Sequence, residues 1–174
     1  MDDTEPDVVL MDIRMPVMNG LEATRELHSR PSPPAVVVLT TFDADDHVVS
    51  AVAAGADGFL LKDTPPGDIV AAVRRVSGGE AMLSPAATRR LVDQVRSGRS
   101  PDRSSRASEL VDLLTDRELE VALCVGRGLS NAEVARELHL SLPTVKAHVS
   151  RLLDKLEASN RVQVAICLHD AGLV

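Results

Sequence analysis

The sequence predicts a parallel α/β sheet of three strands followed by an all-α domain of four helices. Three observations carry this. Between Asp7 and Gly79, short apolar runs closed by turn residues alternate with helical segments. A stretch rich in Ser, Arg, Gly and Pro, Ser97 to Ser108, then interrupts the pattern. From Thr115 onward, one capping residue after another opens a helix.

The first run, Val8-Val-Leu-Met11, leads into Asp12 and then into a loop containing Pro16, Asn19 and Gly20. A run without alternation reads as a strand buried on both faces. Asp12 therefore falls at the carboxyl end of its strand, the rim where open α/β sheets bind ligands. Leu21 to His28 reads as a short helix, closed by Ser32-Pro33-Pro34. Ala35 to Leu39 is a second apolar run, ending in Thr40 and Thr41. Phe42 to Asp46 is a loop and helix start, and His47 to Ala54 a helix stopped by Gly55. Gly58 to Leu61 is a third strand, ending at Lys62. Asp68 caps a helix from Ile69 to Val76, which stops at Gly78-Gly79. Three strand ends thus place Asp12, Thr40 and Lys62 on one rim. A carboxylate can accept a phosphoryl group, and a hydroxyl and an ammonium can bind its oxygens.

Pro85 to Val95 reads as a helix with a weak apolar face of Leu91, Val92 and Val95. Ser97 to Ser108 has no apolar period and reads as a flexible, basic linker. Thr115-Asp-Arg-Glu118 is a capping box opening Asp116 to Gly126, and Ser130-Asn-Ala-Glu133 a second, opening Asn131 to Leu138. His139-Leu140 makes a tight turn, Ser141 caps Leu142 to Leu156, and Asn160 to His169 is the last helix. Two helices joined by a few residues, the second longer and partly basic, read as a helix-turn-helix. At about 100° per residue, Val145, Val149, Leu152 and Leu156 form the core stripe of that second helix. Pro143, Ala147, Ser150 and Asp154 face the other way, flanked by Lys146 on one side and by Thr144 and Arg151 on the other. A small, polar and basic face near a helix N-terminus suits a DNA major groove.

Composition narrows the field. With Phe42 and Phe59 the sole aromatics, stacking on single-stranded nucleic acid is excluded as a binding mode. Cys124 and Cys167 lack metal-ligand spacing and read as core thiols of a cytosolic protein. The acidic N-terminus is not a signal peptide, and no run approaches the ~18 apolar residues of a membrane helix. Charge is uneven: residues 1–84 carry 14 acids and 6 bases, 85–108 carry 2 acids and 6 arginines, and 109–174 carry 10 acids and 7 bases. Nucleic-acid binding must then come from a local basic surface. Enzyme chemistry has little to stand on. There is no Gly-rich phosphate loop and no nucleophile beside a base, and His28, His47, His139, His148 and His169 are scattered.

Asp7 to Gly20, Val36 to Thr41 and Gly58 to Asp63 resemble the second half of a bacterial response-regulator receiver domain. Leu114-Thr-Asp-Arg-Glu-Leu-Glu-Val, Gly128-Leu-Ser-Asn-Ala-Glu-Val-Ala, Thr144-Val-Lys-Ala-His-Val, Lys155-Leu and Asn160-Arg161 resemble the LuxR-type helix-turn-helix. Together they resemble a NarL/FixJ-type response regulator with an N-terminally truncated receiver: a partial flavodoxin-like receiver, a three-strand parallel remnant, over 1–84; a helix and basic linker over 85–109; and a DNA-binding domain over 110–174. The resemblance implies that Asp12 is the phospho-acceptor, Thr40 the switch hydroxyl, Phe59 the switch aromatic and Lys62 the phosphoryl-pairing lysine. It implies DNA contacts from Thr144, Lys146, Ala147, Ser150 and Arg151. It also implies a dimer face of Val162, Ala165, Ile166 and Leu168.

The implied partners are double-stranded DNA, a sensor histidine kinase and a second copy on DNA, in the cytoplasm and without a membrane. The linker arginines are expected to stay solvated rather than to touch DNA phosphates. Receivers hold Mg²⁺ with Asp12's equivalent and an acidic pair from an earlier strand. Six residues precede Asp7, and Asp2 and Asp3 lie about 30 Å of strand from Asp12. The expectation is therefore Asp12 alone as metal ligand, with a late start codon or clipped gene. The competing expectation is a phosphorylation-independent DNA-binding regulator whose partial receiver only dimerises or binds partners.

Overall fold

A computed structural model of the chain describes residues 6–30, 32–40, 47–83, 88, 91, 92 and 101–174. It divides into two compact units, residues 1–77 with 81–91, and residues 78–80 with 92–174.

The first unit runs β1 (Val8–Asp12), α1 (Gly20–His28), β2 (Ala35–Thr40), α2 (His47–Ala54), β3 (Gly58–Leu61), α3 (Pro66–Ser77) and β4 (Met82–Leu83). The strands lie in the order β1-β2-β3-β4, each parallel to its neighbour. The sheet thus has one strand more than expected. β4 is two residues long, pairing Met82 with Gly58 and Leu83 with Phe59, too short to show any period. The all-apolar run of β2 has its predicted cause: Val36, Val37 and Val38 are fully buried. Val37 and Leu60 pack with Ala72 and Val76 of α3. Side chains alternate along a strand, so Phe59, itself buried, faces away from α3.

The turn from β1 into α1 is built tightly around Asp12. Gly20 donates its N–H to the Ile13 carbonyl at 2.9 Å. A Cβ on Gly20 would lie 2.1 Å from the Asp12 carbonyl oxygen, so no other residue fits there. Asn19 opens α1 with a capping box: its side chain accepts from the Leu21 and Glu22 N–H groups, and the Glu22 carboxylate accepts from the Asn19 N–H. In the loop before Asn19, Val17 holds φ at 75°, a left-handed conformation costly for a β-branched residue, and is fully exposed.

The second unit is helical: α4 (Pro101–Val111), α5 (Asp116–Gly126), α6 (Asn131–Glu137), α7 (Leu142–Lys155) and α8 (Arg161–Asp170). Its core is aliphatic, with Val121, Ala122, Val125, Val134, Val145, Leu152, Leu156, Val164 and Leu168 buried together. Both predicted capping boxes form, at Thr115 with Glu118 and at Ser130 with Glu133. Ser141 and Asn160 cap α7 and α8. His139 and Glu157, with φ of 54° and 51°, turn the chain before α7 and after it.

The expected flexible linker needs correction over its second half. Residues 101–108 are helical, as part of α4, with Pro101 at the helix start. Ala107 is buried, and Leu110 and Val111 pack on the core of the helical unit. Of the helix expected over 85–95, Thr88, Leu91 and Val92 are helical. Val95, the linker residues 97–100, Thr41 and the loop 42–46 lie outside the described residues.

Candidate functional site

Parallel register brings three strand ends to one rim. Asp12 is level with Leu39, one residue before Thr40, and Thr40 is level with Leu61, one residue before Lys62. The Lys62 Nζ donates to Asp12 Oδ2 at 2.5 Å, and the Arg14 main-chain N–H donates to Asp12 Oδ1 at 3.1 Å. Both carboxylate oxygens are therefore engaged. The Lys62 ammonium, helped by that N–H, holds the Asp12 carboxyl below the usual carboxylate range. The Asp12 and Lys62 side chains stay partly open to solvent, at 33% and 43% exposure. Thr40 ends β2 almost fully buried, and its carbonyl accepts the Lys62 N–H at 2.7 Å. Phe59 is buried three residues before Lys62. The rim thus collects Asp12, Thr40 and Lys62. Arg14, whose N–H holds the second oxygen, was not singled out from sequence, because a main-chain donor carries no residue signature.

The helical unit presents α7 as a braced helix. Val145, Leu152 and Leu156 are buried and Val149 packs beside them, so the core stripe lies as expected. Lys146, Ala147, Ser150 and Arg151 are exposed. Thr144 is half-buried, its hydroxyl 2.7 Å from that of Ser141 in the helix cap. At the far end of α7, Lys155 Nζ donates to Glu118 Oε2 at 2.6 Å and to the Leu113 carbonyl at 3.0 Å. Arg117 donates to the Leu138 carbonyl, tying α5 to the helix-turn-helix turn, and Arg161 donates to that of Leu129. These ties were not legible in sequence, since each joins residues 21 or more positions apart.

The Lys155 tie makes a pH prediction. Hydrogen bonding to Lys155, then to the Thr115 N–H, lowers the Glu118 pKa from 4.5 to about 2. A depressed carboxyl pKa stabilises the fold above pH 4.5, and that contribution is lost as the pH falls from there toward 2. Lys155→Met is therefore expected to lower the urea midpoint of the helical unit at neutral pH. The gap to the parent should close on acidification through that window. Urea melts at stepped pH would show it, and a gap independent of pH would refute the role of this pair.

On α8, Val162, Ala165 and Ile166 are half-buried, whereas Leu168 is fully buried in the core. Leu168 is thus corrected from a dimer-face residue to a core residue. At about 100° per residue it falls on the side of Val164, away from Val162 and Ile166. Cys124 is buried and Cys167 half-buried, and burial pushes both thiols up from their ordinary range. Among the described residues, no group of three or more His, Cys, Asp or Glu could hold a metal, and no helix is long and apolar enough to cross a membrane.

Comparison with known proteins matches both units. Residues 1–74 fit the family model of the response regulator receiver domain, and residues 112–168 that of the bacterial regulatory proteins of the luxR family. The chain is 37% identical over 171 residues to the uncharacterized transcriptional regulatory protein YxjL of Bacillus subtilis, spanning 98% of this chain and 77% of that one. It is 36% identical over 170 residues to the response regulator VraR of Staphylococcus aureus, with the same coverage. Among solved structures, the response regulator ChrA of a heme-sensing two component system is 33% identical, covering 97% of this chain and 77% of that one, at a TM-score of 0.43. With a receiver-type parallel sheet, a helix-turn-helix and relatives of this identity along nearly all its length, the chain belongs to the two-component response regulators that join a receiver domain to a LuxR-type DNA-binding domain.

Proposed function

We propose that Asp12 is the residue a sensor histidine kinase phosphorylates, and that α7 is the helix that enters the DNA major groove. The observation that carries the first half is the Asp12–Lys62 pair at 2.5 Å on the carboxyl rim of the sheet, with Thr40 one residue beyond. One Asp12 oxygen attacks the phosphorus of the kinase's phosphohistidine; the P–N bond breaks, the histidine imidazole leaves with the bonding pair and takes up a proton, and the Asp12 acyl phosphate remains. Lys62 then pairs with the phosphoryl oxygens, and the Thr40 hydroxyl hydrogen-bonds to them. Phe59 repacks with Thr40. For the second half, Lys146 and Arg151 meet phosphates, and Ala147 and Ser150 approach base edges. Thr144 steadies the first turn. Val162, Ala165 and Ile166 form the stripe through which two copies pair on a two-half-site operator. A receiver domain over residues 1–84 and a DNA-binding domain over 110–174 divide these roles, and the protein works in the cytoplasm.

Receiver domains commonly use Mg²⁺, an ion that takes several oxygen ligands. The described residues offer it one carboxylate, Asp12, whose two oxygens are already engaged by Lys62 and Arg14. That is too little for a metal site on its own, and no step above is routed through the ion.

The test is intact-mass measurement after incubation with acetyl phosphate and Mg²⁺. The expected result is gain of one phosphoryl group by the parent and none by Asp12→Asn. Modification that persists in Asp12→Asn, or none in the parent, would rule Asp12 out.

A further inference from the structure

Helix α4 poses a physical question. Its sequence, Pro-Asp-Arg-Ser-Ser-Arg-Ala-Ser-Glu-Leu-Val, is a weak helix former. Three of its eleven residues are serines, and the Ser108 hydroxyl bonds back to the Ser104 carbonyl at 3.0 Å, an interaction that competes with helical hydrogen bonding. An isolated helix of this length is marginal in water even when rich in alanine. The helix must therefore be held by what it packs against, and that is α8.

Asp170 identifies the hold. At about 100° per residue it points ~120° away from Val164 and ~160° from Leu168, so the domain core does not bury it. Its side chain is nevertheless only 7% exposed, and Arg103 of α4 reaches it at 3.3 Å. A carboxylate shielded this far from water needs a partner. His169 Nδ1 also approaches it, at 3.7 Å, and counts as a cation only when protonated. A second pair, Arg106 with Glu157 just beyond α7, lies nearer solvent. Asp170 also stands about 40° round α8 from Ile166 and about 80° from Val162, bordering their stripe.

We infer that Arg103 and Asp170 form a clasp that folds the linker helix onto α8 and fixes the position of α8 for pairing with a second copy. This rests on the reading of the Val162–Ile166 stripe as the dimer face. Arg103 and Asp170 are positioning residues, acting through α8. The α4 helix and the dimer face then order together, so loosening the linker weakens pairing without touching any residue in the pairing stripe.

The experiment uses the full chain, with two readouts: hydrogen exchange of the 101–111 amides and self-association by sedimentation equilibrium. Arg103→Glu is expected to lower amide protection over 101–111 by at least about tenfold and to weaken self-association at least about threefold. The double reversal, Arg103→Glu with Asp170→Arg, is expected to recover both. Val162→Glu is expected to abolish association while leaving α4 protected. Unchanged protection in Arg103→Glu, or lost protection with unchanged association, overturns the clasp. Unchanged association in Val162→Glu instead overturns the dimer reading beneath it. Failure of the double reversal to recover either readout refutes the specific pairing.

Discussion

Leu152→Ala is expected to unfold the helical unit while leaving the sheet unit folded. Leu152 sits at the centre of α7 with no exposed surface, among Val121, Val134, Val145, Val164 and Leu168. Truncating such a leucine costs about 3–5 kcal/mol, the lost transfer energy plus the cavity left behind. A domain of this size has about 5 kcal/mol in hand. No aromatic ring is there to close the gap, because residues 92–174 contain no Phe, Trp or Tyr. The buried clusters of the two units share no residue, so the chain should melt in two steps. Far-ultraviolet circular dichroism against temperature would show the helical step collapsing and the other unmoved. A single transition shifted as a whole would contradict independent cores.

The second large effect concerns DNA. Replacing Lys146 and Arg151 together with alanine is expected to flatten the salt dependence of binding to mixed-sequence duplex DNA. Each phosphate contact contributes about 0.9 to the slope of log K against log salt, so the pair should remove about 1.8. Both side chains are exposed on α7, and neither supports the core. The double variant should therefore keep its melting temperature. Ser150→Lys is the matching gain: a cation at this exposed position should steepen the slope by about 0.9. Fluorescence anisotropy across a salt series reads all three. An unchanged slope in the double variant would remove this face of α7 from the DNA interface.

The strands and caps were legible because each is a local signal. An apolar run ending at Asp12, Thr40 or Lys62 needs no partner to be recognised, and neither do Thr115 with Glu118 or Ser130 with Glu133. What escaped was what depends on a distant surface. β4 is a strand because Gly58 and Phe59 are beside it, not because Met82 and Leu83 have a pattern. Ser104, Ser105 and Arg106 read as tether from composition, and the side of α8 that makes them a helix is some 60 residues on. Leu168 is a different case: its angular place beside Val164, on the core side of α8, follows from helical spacing alone. At the rim, strand ends locate the three side chains, but the engagement of both Asp12 oxygens depends on a lysine 50 positions away and on a main-chain N–H that carries no residue signature.

The four capped helices of the helical unit have a consequence for the order in which the molecule assembles. α5, α6, α7 and α8 each begin at a side chain within three residues of the N–H it satisfies, at Thr115, Ser130, Ser141 and Asn160. Their starting points are written locally and can form before any long-range contact does. The sheet has no such shortcut: Val8 must find Ala35, and Val37 must find Gly58, each across a crossover. Contacts that close long stretches of chain slow folding, because the closure entropy must be met before the contact forms. The DNA-reading half of the chain is thus built to reach its fold first, with the half that carries Asp12 following.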